Sequence, residues 1–186
     1  HPSEVPPPME KNAPPFLTQN WLDESIRVAK SNYSIEDTLE IRVPPMALVR
    51  CSRGGKSRAL YELANALKKS LHGCAVIFVS FNDYSDLQSW EQSQPVEALC
   101  RRIAFAALRT LDRDNMRTEY DKFCTANVTA ADIEKWLDTT PCVLLIDELN
   151  TLSSLRGDPA KGGSALVEFL KKNFLCGKNR YFIFSS

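Results

Sequence analysis

Four short, nearly unbroken apolar runs punctuate this chain: Met46–Val49, Cys74–Phe81, Cys142–Ile146 and Tyr181–Phe184. A strand with one wet face alternates apolar and polar residues, and these do not, so each is expected to be covered on both faces. The segments between them carry helical spacing. Leu60, Leu63, Ala64, Leu67 and Leu71 mark a helix over Lys56–His72 that Gly73 terminates, and Val96, Leu99, Ile103, Ala107 and Leu108 mark another over Pro95–Leu111. Thr129-x-x-Asp132 has the form of a capping box opening a shorter helix through Trp136. Leu166, Phe169, Leu170 and Phe174 form a last stripe, ended by Gly177, while the polar stretch from Asn82 to Gln94 leads away from the second strand. Strands alternating with helices in this way predict an α/β three-layer sandwich around a mostly parallel sheet.

A chain of 186 residues fills one ordinary core. The expected division is an extended or poorly ordered lead-in over 1–15, an N-terminal helical brace over 16–43, and the sheet domain over 44–186. The lead-in holds six of the eleven prolines, and the brace is marked by Trp21, Leu22, Ile26 and Val28 at amphipathic spacing. The chain starts at His1 without an initiator methionine and stops at Ser186 directly after an apolar strand, which leads to the expectation of a fragment of a longer protein.

Lysine plus arginine equals aspartate plus glutamate, 23 each, so net charge gives no indication of nucleic acid as a partner. The longest apolar runs fall far below the roughly 20 residues of a membrane span, and no membrane partner is expected. Six scattered cysteines without a Cys-x2-Cys pair, and two histidines, argue against a zinc site. Cys74, Cys100 and Cys142 stand at apolar positions and read as buried hydrophobes of a protein in a reducing, intracellular compartment.

Between the first run and its helix lies Arg50-Cys-Ser-Arg53-Gly54-Gly55-Lys56-Ser57. A phosphate-binding loop follows Gly-x4-Gly-Lys-Ser/Thr because backbone N–H groups wrap the phosphates, the lysine neutralises them and the hydroxyl reaches Mg2+. Here Arg50 replaces the first glycine, so a side-chain-bearing residue must make the tight exit from the strand. The candidate nucleotide-binding set is Arg53, Gly54, Gly55, Lys56, Ser57 and Arg58, with Ser57 also a metal ligand. Arg53 could help to neutralise phosphate or fold back over the empty loop.

The second anchor is Cys142-Val-Leu-Leu-Ile-Asp147-Glu148, apolar residues and then two carboxylates at the carboxyl end of a strand. That is the form of a Walker B motif. Asp147 at that edge can support Mg2+, and Glu148 can orient and deprotonate an attacking water. Ligands bind beyond the carboxyl ends of parallel strands, so both anchors belong to one edge.

With those two motifs, the chain from about 44 to 186 resembles the additional-strand, catalytic-glutamate class of P-loop NTPases, which includes AAA+ and STAND ATPases. The resemblance implies a P-loop NTPase fold in which the strand after Walker B lies between the P-loop and Walker B strands and ends in a polar sensor residue; Ser185 holds that position. Val49–Ser57 together with Val143–Asn150 looks more narrowly like the ATPase modules of Crinkler effectors and of retrotransposon hot spot proteins. That likeness implies a module of a larger, effector-type protein, secreted by a pathogen and delivered into host cells, the nucleus included. It also implies a protein partner or further domains of the same chain, with oligomers allowed. The class usually adds a fifth strand and a lid carrying an adenine contact and a sensor arginine, and the chain stops before them.

The expected activity is Mg2+-dependent binding and hydrolysis of a nucleoside triphosphate, ATP first, with Glu148 and Lys56 as catalytic residues and Asp147 and Ser57 on the metal. The alternative keeps the fold as a non-hydrolysing nucleotide sensor or protein-interaction scaffold with a degenerate loop. A small-molecule kinase is the third reading, disfavoured because a water-activating carboxylate is of little use when the acceptor is another hydroxyl. Arg156 and Lys161 could reach a γ-phosphate as an arginine finger does, whereas Lys161-Gly-Gly-Ser164 has the wrong residue order for a second loop, and His72 decorates a helix end.

Overall fold

A computed structural model describes residues 19–35, 43–49, 55–81, 87–108, 116–152 and 163–186. The elements run α1 (Gln19–Tyr33), β1 (Met46–Leu48), α2 (Lys56–Ser70), β2 (Ala75–Ser80), α3 (Ser89–Ser93), α4 (Pro95–Leu108), α5 (Met116–Phe123), α6 (Ala130–Thr139), β3 (Cys142–Asp147), α7 (Gly163–Leu170) and β4 (Arg180–Ser185). The fold is α/β, and the four strands among the described residues are all parallel in the order β1-β4-β3-β2. β4, last in the chain, is therefore inserted between β1 and β3.

The continuous apolar strands are explained by what lies on each face. Ile77, Val79, Leu144, Ile146 and Phe182 point into one core with Leu99 and Ile103 of α4, Ile133 of α6 and Leu166 and Phe169 of α7. Val76, Phe78, Val143, Leu145 and Ile183 point into the other, against Leu60, Leu63 and Leu67 of α2 and Leu22 and Ala29 of α1. Successive side chains leave a strand on opposite faces, so a strand with helices over both must be apolar at every position. β1 departs from the expectation: it lies at the sheet edge with Ala47 exposed, and Val49 just beyond it is 71% exposed. This arrangement fits a three-layer sandwich. The brace helix α1 is part of the second core through Leu22 and Ala29.

Local signals in the sequence explain most boundaries. Thr129 caps α6 reciprocally with Asp132, its hydroxyl accepting from the Asp132 N–H while the aspartate accepts from the Thr129 N–H. Gly73 takes φ +77° just past α2, a left-handed conformation that favours glycine. Three elements differ from the expectation, the first being α5 over Met116–Phe123, where no helix was expected. The stretch expected to be a polar lead-away contains the short helix α3, and α7 continues into a π-helical turn over Lys171–Leu175.

The reason α3 exists is a buried charge. Glu91 is fully buried and takes both Nε and Nη2 of Arg102 at 2.7 Å, while Arg102 Nη1 donates to the Ser80 carbonyl at 2.9 Å. The Tyr120 hydroxyl donates to the same carboxylate at 2.8 Å, and the guanidinium lies over the rings of Phe81 and Tyr120. Burial, first of all, pushes the Tyr120 phenol well up, against the lowering pull of Arg102. Charges are buried only when paired and hydrogen-bonded, and this pair is both. It ties α3, α4, α5 and the end of β2 together.

Candidate nucleotide site

Three elements supply the site: the N-terminus of α2 and the carboxyl ends of β3 and β4. The carboxyl end of β2 adds a fourth contact. Gly55 precedes α2 with φ +75°, and no atom lies within 4 Å of where a Cβ would stand. Conformation rather than space therefore demands glycine there. No side chain caps α2, and its first helical bond is the Ala59 N–H to the Gly55 carbonyl at 2.9 Å. The preceding N–H groups have no acceptor within the helix, and the helix dipole places partial positive charge where they point.

Lys56 is the first residue of this helix, and its Nζ lies 3.7 Å from Oε1 of Glu148. The two side chains are only 12% and 20% exposed. The glycine-lysine motif and the acidic motif thus face each other across one small volume. Ser57 follows Lys56 on the same turn and is half-buried.

Asp147 ends β3 fully buried and is held at both oxygens. Ser185 Oγ donates to Oδ1 at 2.6 Å, and Ser80 Oγ donates to Oδ2 at 3.4 Å. Ser185 also accepts the backbone N–H of Glu148 at 3.0 Å, so one hydroxyl at the end of β4 fixes both acidic residues. Glu148 itself sits at φ 56° and ψ 49°, the left-handed region, where a residue with a Cβ is strained. Its N–H is held by Ser185, and its carbonyl accepts the Thr151 N–H at 3.0 Å to start a 3-10 turn over Leu149–Thr151. Strain of this kind persists only where surroundings over-determine the conformation.

Of the residues singled out in the sequence, Lys56, Asp147, Glu148 and Ser185 are linked by direct contacts, and Gly55 and Ser57 flank Lys56 in the chain. Arg58 lies on the first turn of α2 with Nε 3.7 Å from Glu62 of the same helix. Arg50, Arg53, Gly54, Arg156 and Lys161 lie outside the described residues, as does the lead-in over 1–15. The contact that sequence reasoning missed is Ser80. Its only signal is position: a hydroxyl in an otherwise apolar strand, at the edge where ligands gather.

The donor set fits a Mg2+-bound triphosphate on chemical grounds. It offers a helix N-terminus without a side-chain cap, an ammonium, a hydroxyl and a buried carboxylate at one sheet edge. Among the described residues no cluster of three or more His, Cys, Asp or Glu could hold a metal ion by itself, and no helix is long and apolar enough to cross a membrane. No protein-family model matches the chain, and comparison with curated proteins and with solved structures gives no match.

Proposed function

We propose that the protein is a Mg2+-dependent nucleoside triphosphatase, acting on ATP or a related nucleotide, built on a P-loop NTPase fold. The observation that carries this reading is the 3.7 Å approach of Lys56 Nζ to Glu148 Oε1, which brings two motifs far apart in the chain to one point. The position of β4 between β1 and β3, with Ser185 at its end on Asp147, supports the same reading. It is the strand insertion that the resemblance implies.

In this account Lys56 and the N–H groups of the first turn of α2 bind the phosphate oxygens. Ser57 and Asp147 would hold the metal, which would withdraw charge from the phosphates. Glu148 accepts a proton at Oε1 or Oε2 from a water that attacks the terminal phosphorus, and the bond to the leaving phosphate oxygen breaks. Ser185 keeps the backbone of Glu148 and the carboxylate of Asp147 in register, because both bond to its single oxygen.

Calorimetry and phosphate release on two variants test the proposal. Glu148→Gln should keep nucleotide binding while losing turnover, and Lys56→Ala should lose binding. Unchanged hydrolysis in both sinks the assignment. Binding by the wild type without phosphate release selects the non-hydrolysing sensor instead.

A further inference from the structure

The buried Glu91–Arg102 pair lies one residue away from Asp147, and that residue is Ser80. Val76 and Phe78 face the α2 core, while Ile77, Val79 and Phe81 face the α4 core. By that alternation Ser80 turns its side chain to the α2 face, which Val143, Leu145 and Asp147 share. β2 ends the strand order and, among the described residues, has a strand on its β3 side only. On that side the Phe81 N–H donates to the Asp147 carbonyl at 3.3 Å. On the other, Arg102 Nη1 donates to the Ser80 carbonyl at 2.9 Å, a side chain standing where a neighbouring strand would supply an N–H. The same guanidinium lies 4.5 Å from the centre of the Phe81 ring. Arg102 therefore grips the last residue of β2 and the one after it, and is itself fixed by two bonds of 2.7 Å to Glu91.

Resting on the metal role proposed for Asp147, we propose that Arg102 is a positioning residue for the metal site: by fixing the end of β2, it holds Ser80 Oγ on Asp147 Oδ2. The carboxylate is oriented from two strands, by Ser185 at 2.6 Å on Oδ1 and by Ser80 at 3.4 Å on Oδ2. The first bond is short and the second stands at the outer limit, so a shift of β2 by a few tenths of an ångström breaks the second alone. An ionised carboxylate has about four acceptor positions, and two donated hydroxyls leave room for a cation. With one hydroxyl gone, the carboxylate turns more freely about its last bond, and that freedom must be given up again when a metal binds. The pair on α3 and α4 thus sets metal affinity without touching metal or nucleotide. This also gives the pair a reason to be charged. Apolar residues of like volume often stabilise a core as well as a buried ion pair does, but only a planar fork of donors reaches a carboxylate and a backbone carbonyl at once.

Calorimetry with β,γ-methylene ATP, which is not hydrolysed at its terminal phosphate, gives each protein two affinities, one in Mg2+ and one in EDTA. Their ratio reports the metal's contribution at the site and does not depend on the fraction folded. The wild type should show a ratio of at least about tenfold. Ser80→Ala should lower it by about three- to tenfold, with the affinity in EDTA unchanged within about twofold. The double variant Glu91→Met/Arg102→Met leaves no unpaired charge in the core and should lower the ratio by the same factor. Adding Ser80→Ala to the double variant should change nothing further, because both act through one bond. Arg102→Lys keeps a charge beside Glu91 without the planar fork; it should lower the ratio too, and serves if the double variant does not fold. If Ser80→Ala keeps the wild-type ratio, if the Arg102 variants keep it, or if the two effects add, the pair is a structural tie only and the proposal falls while the metal site stands. If the wild type binds no nucleotide, or binds it equally with and without Mg2+, the proposed function and this inference fall together.

Discussion

Replacing Glu148 by glycine is expected to leave the protein more stable than replacing it by alanine, the reverse of the usual order. Both variants remove the carboxylate that lies 3.7 Å from Lys56, so the loss of that pair, about 0.5–1 kcal/mol for a partly exposed contact, cancels from the comparison. What remains is the backbone. At φ 56° and ψ 49° a Cβ costs about 1–2 kcal/mol, which alanine bears and glycine does not. Glycine loses about 0.5–1 kcal/mol more chain entropy on folding. The balance favours glycine by up to about 1.5 kcal/mol, or at most roughly 3–6 °C in Tm for a chain of this size. Urea unfolding followed by circular dichroism at neutral pH reads the difference as a shift in midpoint at constant slope. A glycine variant less stable than the alanine variant by the 0.5–1 kcal/mol of an ordinary site would refute the claim that Glu148 is held in strain. Both variants should also lack turnover.

Removing one partner of the Glu91–Arg102 pair, as in Arg102→Leu, should cost about 3–5 kcal/mol in urea unfolding, because Glu91 is left charged, buried and short of donors. Tyr120→Phe removes one hydrogen bond to the same carboxylate and should cost about 1.5–3 kcal/mol; a neutral result would mean the network is not closed as described. Cys74, Cys100 and Cys142 are buried, and burial raises each thiol, Cys100 to about 12. At pH 8 these three should resist a thiol reagent until the protein unfolds, whereas exposed Cys176 reacts at once. The sign of the linked stability follows. With the folded pKa of Cys100 raised above its unfolded value of about 8.5, its thiol stays protonated in the folded state while the unfolded one ionises, so stability falls as pH rises from about 8.5 towards 12. Cys100→Ala should flatten that slope.

The sheet was readable from sequence because burial on both faces leaves an unmistakable mark. Cys142–Ile146 was expected as a strand, and the strand runs Cys142–Asp147, one residue further because Asp147 continues the ladder opposite Ser80. Thr129 and Gly73 were readable because capping and left-handed turns are local, requiring particular residues at particular positions. α3 was not readable. Its one buried residue is Glu91, which any hydropathy pattern assigns to solvent, and only the distant Arg102 makes that burial tolerable. The π-helical turn after α7 depends on packing and has no residue signature.

The candidate site divides in the same way. Gly55, Lys56 and Ser57 could be named because a phosphate loop needs those types in that order, and Asp147 and Glu148 because they end an apolar run. That Lys56 faces Glu148 is a distance between elements, which the order of motifs alone does not fix. Ser80 reaches Asp147 only because β2 and β3 pair in register at their last residues. The strain at Glu148 is likewise invisible in sequence, since glutamate is not a residue that favours a positive φ.

The central claim, that Lys56 and Glu148 form one hydrolytic site, is tested most directly by a single-turnover experiment. Protein in excess is mixed with ATP and then with Mg2+, and inorganic phosphate is followed in the wild type and in Glu148→Gln side by side. The account predicts Mg2+-dependent release of phosphate stoichiometric with bound ATP in the wild type, and a rate at least about a hundredfold lower in the variant with ATP still bound. Equal rates in the two proteins, or ATP that stays intact on the wild type, would contradict it.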